Sequence, residues 1–343
     1  MFSSLINQAS FLVKSAAIFC HLASPEVAPT ISIAADLETT ESATPAPAHD
    51  LATTPQAPAY GLTTNSPAQV SDLITTPTQA LYKNAPLNYE ATGKKFVIMT
   101  ASYNNINYYL WNLDSIFNQT YQNWHLVYID DMSTDGTSKK VPAYIRQRGF
   151  EHKVTFVSNA EKCYCLKNYY REIHKIPNDH IIVCLDGDDA FLDNGVLEYL
   201  NKVYANPDIW CTYGNYRYFP KPPAIPARQA MPYPKKVIKN NAFRDHTWCV
   251  RALRTFYAGL FKNIDVRQFM YEGSFINAVE DMAYMFPILE QCGKHHLYID
   301  KELYLYNVGT PLLTANTWKN EKIAALSKHI RRQTKYKPLK HRS

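Results

Sequence analysis

The sequence predicts an α/β fold built around a mostly parallel central sheet, and two observations support this. From residue 94 to about residue 213, short apolar runs typical of strands alternate with segments of helical periodicity. Such alternation indicates βαβ units whose crossover helices cover both faces of the sheet. In addition, two of the strand-like runs end in acidic residues, Asp130-Asp131 and Asp186-Gly187-Asp188-Asp189. Since parallel strands end at a common edge, a polar crevice is expected there, where open α/β sheets bind ligands.

The individual elements follow from periodicity and from cap residues. Five runs have the length and apolar composition of strands: 96–100, 124–129, 154–157, 181–185 and 210–213. Four segments between them have apolar residues at helical spacing or cap residues at their start: 106–117, 133–148, 162–174 and 195–205. Beyond residue 218 the pattern loosens. The sequence there predicts a proline-rich loop, two helices and two late strands: 219–234, 248–261, 281–291, 296–299 and 303–306.

The chain divides into three parts by composition. Residues 24–92 are rich in Ala, Thr, Ser and Pro, so residues 1–92 are predicted to be a disordered leader, with a weak targeting-type segment in 1–24. Residues 93–317 form the predicted folded domain. Residues 318–343 form a basic tail, in which nine Lys or Arg residues stand against one acid. Because the whole chain has a net charge of +6, the rest is close to neutral, which argues against a nucleic-acid-binding body.

Cysteine usage and hydropathy predict the location of the protein. Seven cysteines occur without a CxxC pair, which fits a reducing compartment and predicts a cytoplasmic protein. Residues 5–23 form the most apolar segment, but polar residues interrupt it, so no membrane-spanning helix is expected. The basic tail is either a solvated segment or a peripheral contact with an anionic membrane. Targeting by the leader stays open.

The acidic turn that follows residue 185 predicts a metal site. Three carboxylates in one turn repel one another, and a divalent cation is the usual relief. Asp186 and Asp188 flank Gly187, whose missing side chain lets the backbone approach a bulky phosphate. Carboxylate oxygens suit a hard divalent cation. The alternative is a solvated turn after a strand.

Three motifs resemble those of the family 2 glycosyltransferases, which have the GT-A fold. Residues 95–137, which contain FVIMTASYNN and LVYIDDMSTDGT, resemble the opening of the family's catalytic domain. LDGDD at 185–189 is similar to the family's metal-binding acidic motif, and VEDMAY at 279–284 is similar to its later acidic motif. The motifs occur in the right order and at the right spacing, and the resemblance covers about residues 93–310. It implies a GT-A type nucleotide-binding fold.

The resemblance also implies a reaction and its partners. Family members move a sugar from a nucleotide diphosphate to an acceptor hydroxyl, and the reaction expected here is inverting and metal-dependent, with a UDP-sugar as donor. The acceptor would be a glycan, a lipid or a protein. Mn²⁺ or Mg²⁺ would offset the charge that develops on the leaving diphosphate. By resemblance, Asp188 is the first choice for the metal, and Asp186 binds the ribose or a metal-bound water, or shares the metal.

Several residues match donor-binding positions of the family. By resemblance, Ser102 and Tyr103 contact the nucleotide and Asp131 accepts a hydrogen bond from the base, although Asp131 could instead cap the helix that follows it. Lys167 falls where the family often has arginine, and a lysine cannot make the same two-pronged contact. It faces the donor or is a solvated helix residue. His246 contacts the diphosphate or is a structural histidine.

The later acidic motif implies the catalytic base. An inverting displacement needs a carboxylate that takes the proton from the acceptor hydroxyl. Asp281 matches the family's base, and Glu280 is the alternative or orients the acceptor. Both acids would also favour a helix N-terminus through the macrodipole. Two competing functions are kept: a degenerate GT-A module that binds nucleotide or sugar without catalysis and, less favoured, an Asp-based phosphotransferase.

Overall fold

The computed structural model describes residues 93–220, 230–310 and 320–342. Ten strands lie in this part of the chain: β1 (Phe96–Ser102), β2 (Trp124–Asp130), β3 (Val154–Ser158), β4 (Ile181–Cys184), β5 (Ala190–Phe191), β6 (Cys211–Phe219), β7 (Arg254–Tyr257), β8 (Met270–Tyr271), β9 (Ser274–Phe275) and β10 (His296–Asn307). Eight of them form one sheet in the order β3-β2-β1-β4-β7-β6-β10-β5, and β8 pairs with β9.

Eight α-helices accompany these strands in the described ranges: α1 (Tyr109–Phe117), α2 (Thr137–Gln147), α3 (Tyr164–Ile173), α4 (Val196–Tyr204), α5 (Lys235–Lys239), α6 (Ala258–Lys262), α7 (Glu280–Cys292) and α8 (Asn320–Arg332). Three short 3-10 helices complete the elements: Glu151–Lys153, Phe243–Asp245 and Val266–Phe269. The helices α1 to α4 alternate with the first strands as predicted. The predicted α/β fold with a mostly parallel sheet is confirmed.

The pairing of β1 builds the edge of the sheet that carries the acids. β1 pairs in parallel with β2 on one side and with β4 on the other. In these registers Ser102 lies opposite Asp130, and Met99 lies opposite Cys184. The strands are continuous apolar runs because helices cover the sheet, and Ile98 is 0% exposed. Because the three strands end at one edge, the polar residues that follow each of them are brought together.

One predicted helix is wrong. The sequence predicts a helix over 248–261, but β7 occupies the middle of this segment, and only the short α6 that follows it is helical. β7 runs antiparallel between β4 and β6. A short apolar run cannot distinguish a strand from a helix by periodicity alone, and here the β-branched and aromatic residues pair on both sides. As a result, Arg254 lies opposite Cys184, at the carboxyl edge of β4.

The late strands are longer than predicted. β6 runs to Phe219, into the segment predicted as a loop, of which residues 221–229 lie outside the described part. The two strands predicted over 296–299 and 303–306 form the single strand β10, which is parallel to β6 and has register shifts on either side of Glu302. Such irregularities interrupt the alternation of side chains along a strand, which explains the predicted break.

The basic tail packs against the folded domain. On α8, Leu326 and Ile330 are 1% and 0% exposed. The Ile330 carbonyl accepts a hydrogen bond of 2.6 Å from the buried Arg244, whose guanidinium also pairs with Glu290 of α7. Tyr336 donates its backbone N–H to the same carboxylate. One side of the tail therefore packs on the hydrophobic core, which differs from the solvated segment that the sequence suggested.

The predictions about targeting and location can be compared with the structure only in part. The leader over 1–92 and its targeting segment lie outside the described residues. In the ranges that are described, no helix combines the length and the apolar character needed to cross a membrane. The six cysteines in those ranges are free thiols.

Candidate functional site

A cleft of about 600 Å³ opens at the carboxyl ends of β1, β2 and β4. Six of the predicted site residues line it: Ser102, Tyr103, Asp131, Asp186, Asp188 and Glu280. Other lining side chains were not singled out from the sequence, among them Asn105, Lys162, Tyr164, Asn277, Tyr306 and Asn307. Asp281 is the helix neighbour of Glu280. Lys167 and His246 are not part of the lining.

The third carboxylate of the acidic turn, that of Asp189, fixes the position of the turn after β4. Asp189 is 2% exposed, and it accepts hydrogen bonds of 2.6 Å from the Tyr304 hydroxyl and 2.7 Å from the Asn307 N–H. Asn112 of α1 donates to the backbone carbonyls of Asp186 and Asp189, at 3.0 and 2.8 Å. Asp189 therefore holds the turn against α1 and β10. The other two carboxylates of the turn are left to face the cleft.

Close packing explains the glycine of the acidic turn. A Cβ at Gly187 would lie 2.7 Å from the Ser102 Cβ and 2.7 Å from Asn105 Nδ2. Both separations are shorter than a van der Waals contact, so a side chain at this position would push the end of β1 aside. The acidic turn therefore presses directly on the strand end that carries the predicted nucleotide-binding residues.

Burial and mutual repulsion make the acidic turn a candidate cation site. Burial and the neighbouring Asp186 charge raise the pKa of Asp188 to about 6. Burial and the Asp188 charge raise the pKa of Asp189 well above its ordinary value. A cation close to the turn would offset this repulsion.

The carboxylates of the turn do not form a complete metal site. Within the described ranges, no group of three or more His, Cys, Asp or Glu side chains converges on a common metal position. Two carboxylates suffice for Mg²⁺ or Mn²⁺ when phosphate oxygens complete the coordination. Asp186 and Asp188 therefore fit a metal ion that is bound together with a diphosphate.

Asp131 is held by the N-terminus of α3. Its Oδ1 accepts hydrogen bonds of 2.8 Å from the Cys163 N–H and from the Asn159 amide, and its Oδ2 accepts one of 2.8 Å from the Tyr164 N–H. Burial opposes ionisation, but these hydrogen bonds and one from Asn168 lower the pKa of Asp131 below its ordinary value. Asp131 thus caps α3 and not α2, the helix that directly follows it, because the first N–H of α2, at Thr137, is hydrogen-bonded to Asp135 Oδ1. The base-binding role of Asp131 stays a prediction.

Two tyrosines and a lysine form the wall of the cleft beside Asp131. Tyr103 and Tyr164 are 37% and 40% exposed. The Lys162 Nζ lies 2.9 Å from the centre of the Tyr103 ring and 3.4 Å from Asp131 Oδ2. Aromatic faces beside a carboxylate suit a nucleobase, which both stacks and donates N–H groups. The sequence did not mark Lys162 or Tyr164, because they approach Tyr103 only through the pairing of the strands.

Glu280, at the start of α7, forms another wall of the cleft, and Asp281 beside it is not part of the lining. Glu280 lines the cleft, and burial together with the Asp281 charge raises its pKa to about 7. The Asp281 side chain is 28% exposed, and its Oδ2 lies 3.4 Å from Arg254 Nη1. Arg254 Nη2 also lies 3.6 Å from Asp186 Oδ2. The sequence missed Arg254 because a helix was predicted where β7 begins.

Two predicted donor-binding residues have other partners. Lys167 Nζ donates a hydrogen bond of 2.8 Å to Glu161 Oε1. The ring of His246 has its Nδ1 3.0 Å from the Thr247 carbonyl oxygen, and the His246 carbonyl accepts a hydrogen bond of 2.8 Å from Arg331 of α8. Neither residue lines the cleft. Their roles in donor binding stay predictions that the geometry does not favour.

A family comparison agrees with this geometry. Residues 97–264 match the sequence model described as "Glycosyl transferase family 2". The matched segment runs from β1 to just beyond α6 and contains the acidic turn, whereas the acidic pair of α7 follows it. The resemblance to the family 2 glycosyltransferases that was inferred from the sequence is confirmed over this segment. No curated protein sequence matches the chain.

Three solved structures are similar to this chain. S. aureus TarS 1-349 in complex with UDP-GlcNAc is 13% identical with a TM-score of 0.52, and the match covers 68% of this chain and 66% of that one. The same fragment in complex with UDP is 14% identical, with a TM-score of 0.49 and coverages of 69% and 64%. Mannosyltransferase PcManGT from Pyrobaculum calidifontis, in complex with GDP-Man and Mn²⁺, is 16% identical, with a TM-score of 0.45 and coverages of 72% and 65%. The chain spans just under two thirds of these proteins, and the first comparison supports the GT-A fold.

Proposed function

We propose that this protein is a metal-dependent, inverting glycosyltransferase that moves a sugar from a nucleoside diphosphate sugar to an acceptor hydroxyl. The observation that carries the proposal is the composition of one cleft. It combines an aromatic wall with a carboxylate, the carboxylates of Asp186 and Asp188 on the acidic turn, and Glu280 at the start of α7, where Asp281 is the next residue. These three groups suit the base, the diphosphate and the reacting sugar of such a donor.

The proposed donor is a UDP-sugar. Tyr103 and Tyr164 would stack on the base, and Ser102 would contact the nucleotide from the end of β1. Asp131 would accept an N–H of the base, and its lowered pKa keeps it ionised, which makes it a strong acceptor. Lys162 would move aside, because its ammonium group now covers the Tyr103 ring. The complex of the structural neighbour S. aureus TarS with UDP-GlcNAc supports this choice of nucleotide.

Asp188 and Asp186 would hold the Mn²⁺ or Mg²⁺ ion. When bound, the ion offsets the negative charge that develops on the leaving diphosphate. The two carboxylates extend from one turn, and Asp186 is 39% exposed, so it is accessible from the cleft. Phosphate oxygens of the donor would complete the coordination, and Gly187 between the two acids lets the turn pack against Ser102 and Asn105.

Asp281 is the proposed general base, with Glu280 as the alternative. Displacement with inversion needs a carboxylate close to the attacking hydroxyl, on the face opposite the leaving group. The first turn of α7 carries both acids, and Arg254 links Asp281 to the acidic turn. Because the pKa of Glu280 is about 7, the pair carries more negative charge above neutral pH, which favours removal of the acceptor proton.

The acceptor would be a glycan, a lipid or a protein. An acceptor at a membrane surface would agree with the basic face of the tail, where Lys328, Arg332, Lys337 and Lys340 are exposed. Each basic group close to an anionic surface contributes about 1 kcal/mol. The full chain should co-sediment with phosphatidylserine vesicles, and reversal of these four charges to Glu should abolish co-sedimentation. Equal co-sedimentation of the two proteins would end the idea of a membrane contact.

A panel of nucleotide sugars tests the proposed activity. The full chain with Mn²⁺ should slowly hydrolyse one UDP-sugar in the absence of an acceptor, and EDTA should stop the release of UDP. Asp188→Asn serves as the inactive control. Binding of UDP without hydrolysis of any donor would favour the degenerate module. Absence of both binding and hydrolysis would remove the glycosyltransferase proposal.

A further inference from the structure

Arg254 pairs with two acids that belong to different motifs, one on the acidic turn and one at the start of α7. Its Nη2 lies 3.6 Å from Asp186 Oδ2 on the acidic turn. Its Nη1 lies 3.4 Å from Asp281 Oδ2 at the start of α7. A single guanidinium group therefore stands between the proposed metal ligand and the proposed base.

The topology of the sheet explains how an arginine reaches this point. β7 runs antiparallel to β4, so its first residue, Arg254, lies opposite Cys184, the last residue of β4. Asp186 follows two residues later. A parallel strand at this place would begin at the opposite edge of the sheet. Because β7 is antiparallel to β4, Arg254 lies at the same edge of the sheet as the acidic turn.

The burial of Arg254 indicates that the two acids hold it in place. The arginine side chain is 12% exposed, whereas the side chains of Asp186 and Asp281 are 39% and 28% exposed. Its Nε is buried and has no hydrogen-bond partner among the described residues. A buried guanidinium is costly unless it is paired, so these carboxylates offset its burial. The guanidinium is enclosed, while both of its partners are partly exposed and Asp186 lines the cleft.

We propose that Arg254 is a positioning residue for sugar transfer, which orients Asp281 and releases Asp186 to the divalent cation when the donor binds. This inference rests on the proposed function. The planar fork of an arginine holds two carboxylates at a defined angle, which a lysine cannot do. Both separations are longer than the about 2.7–2.9 Å of a tight charged hydrogen bond, so Asp186 can exchange its partner at little cost.

The charge of Arg254 gives the inference a consequence that does not depend on activity. A positive charge beside Asp186 repels a divalent cation that approaches the same carboxylate. Arg254→Met should therefore bind Mn²⁺ alone more tightly, by up to about tenfold for removal of a unit charge a few ångströms away in a water-like dielectric. A residue with a merely structural role would leave Mn²⁺ affinity unchanged or would weaken it.

The kinetic test compares Arg254→Met, Arg254→Lys, Asp281→Asn and the double variant Arg254→Met/Asp281→Asn. Arg254→Met should lower kcat about 10²-fold through misplacement of the base, while the KM for the UDP-sugar changes less than about threefold. Arg254→Lys should recover little of the lost kcat although it restores the charge. The double variant should be no slower than Asp281→Asn, because Arg254 acts through Asp281.

Arg148→Met is the matched control. Arg148 is 31% exposed and pairs with Asp114 on α1, outside the cleft, so its loss should leave kcat and Mn²⁺ affinity unchanged. Thermal unfolding of every variant shows whether a lost activity is simply lost folding.

Two results would overturn the inference. One is an Arg254→Met protein whose kcat and Mn²⁺ affinity both equal those of the wild type. The other is a double variant that is slower than Asp281→Asn by the full factor of Arg254→Met. If the wild type hydrolyses no donor, the proposed function fails, and the Mn²⁺ titration alone then decides whether Arg254 competes for Asp186.

Discussion

Glu290→Gln should strongly destabilise the protein, because it breaks a buried ion pair that anchors the helix of the acidic pair. Arg244 Nε lies 2.6 Å from Glu290 Oε1, and both side chains are 0% exposed. A second hydrogen bond of 3.0 Å joins Arg244 Nη2 to Glu290 Oε2. Removal of one partner of a buried pair leaves an uncompensated charge and costs about 3–5 kcal/mol.

The ion pair between Arg244 and Glu290 also holds the tail against the folded domain. The Glu290 carboxylate accepts the Tyr336 N–H at 3.0 Å, and Arg244 donates to the Ile330 carbonyl at 2.6 Å. The C-terminal end of α7 and the tail should therefore loosen together in the variant. Because a domain of this size loses about 2–4 °C in Tm for each kcal/mol, the expected loss is about 6–20 °C.

Urea denaturation followed by circular dichroism, together with thermal scans, measures the effect. Glu302→Gln is the matched control, because its pair with Arg217 at 2.7 Å is solvent-accessible, with 36% and 45% of the side chains exposed. The control should lose less than about 1 kcal/mol. Replacement of both Arg244 and Glu290 by Met should restore part of the stability that the single change removes. A Glu290→Gln protein within about 1 kcal/mol of the wild type would refute the reasoning.

Three further predictions concern the cleft. Raising the pH from about 6 to about 8 should increase donor hydrolysis up to about tenfold, because the ionised fraction of Glu280 rises around its pKa of about 7. An unchanged pH profile in Glu280→Gln would contradict this. Asp281→Asn should keep its affinity for UDP and lower transfer by about 10²–10⁴-fold in a radiolabelled transfer assay. Full transfer by this variant would clear Asp281 of the base role. Asp131→Ala should lower the free energy of unfolding in urea by about 1–2 kcal/mol through loss of the cap on α3, and should weaken UDP binding in calorimetry. A variant with unchanged stability would show that α3 does not need the cap.

The acids at the strand ends could be predicted because they follow closely on strands, whereas Glu280 on α7 was expected only from the family resemblance. Asp131 comes after β2 and Asp188 comes after β4, and both strands lie in parallel beside β1. Strand ends of a parallel sheet share one edge, so the meeting of these acids follows from the order of the elements. Ser102 and Tyr103, which were expected from the family resemblance, lie at the end of β1 on the same edge.

Arg254 and the partners of Asp131 could not be predicted, because they depend on pairing between distant segments. An antiparallel strand inserted between β4 and β6 leaves no mark in a short apolar run, so the residues before Tyr257 were assigned to a helix. Asp131 contacts the N-terminus of α3 only because β3 returns the chain beside β2.

The packing of the tail could not be predicted, because its many basic residues obscure the few apolar positions that make the contact. Nine basic residues in the last part of the chain dominate its composition. The signal for packing is narrower, since it rests on Leu326 and Ile330, which are four residues apart on α8 and therefore share one face. Because only two apolar positions stand among so many charges, the sequence favours a solvated segment.

The central claim is that carboxylates at neighbouring strand ends bind a cation together with a diphosphate, whose charge the cation neutralises. Calorimetric titration of the full chain with UDP tests this claim. UDP should bind more tightly in Mn²⁺ than in EDTA, and Asp188→Asn should remove this difference. Asp114→Asn, which alters an acid on α1 outside the cleft, should keep it. Equal UDP affinity in Mn²⁺ and EDTA, or an Asp188→Asn protein that behaves like the wild type, would contradict the account.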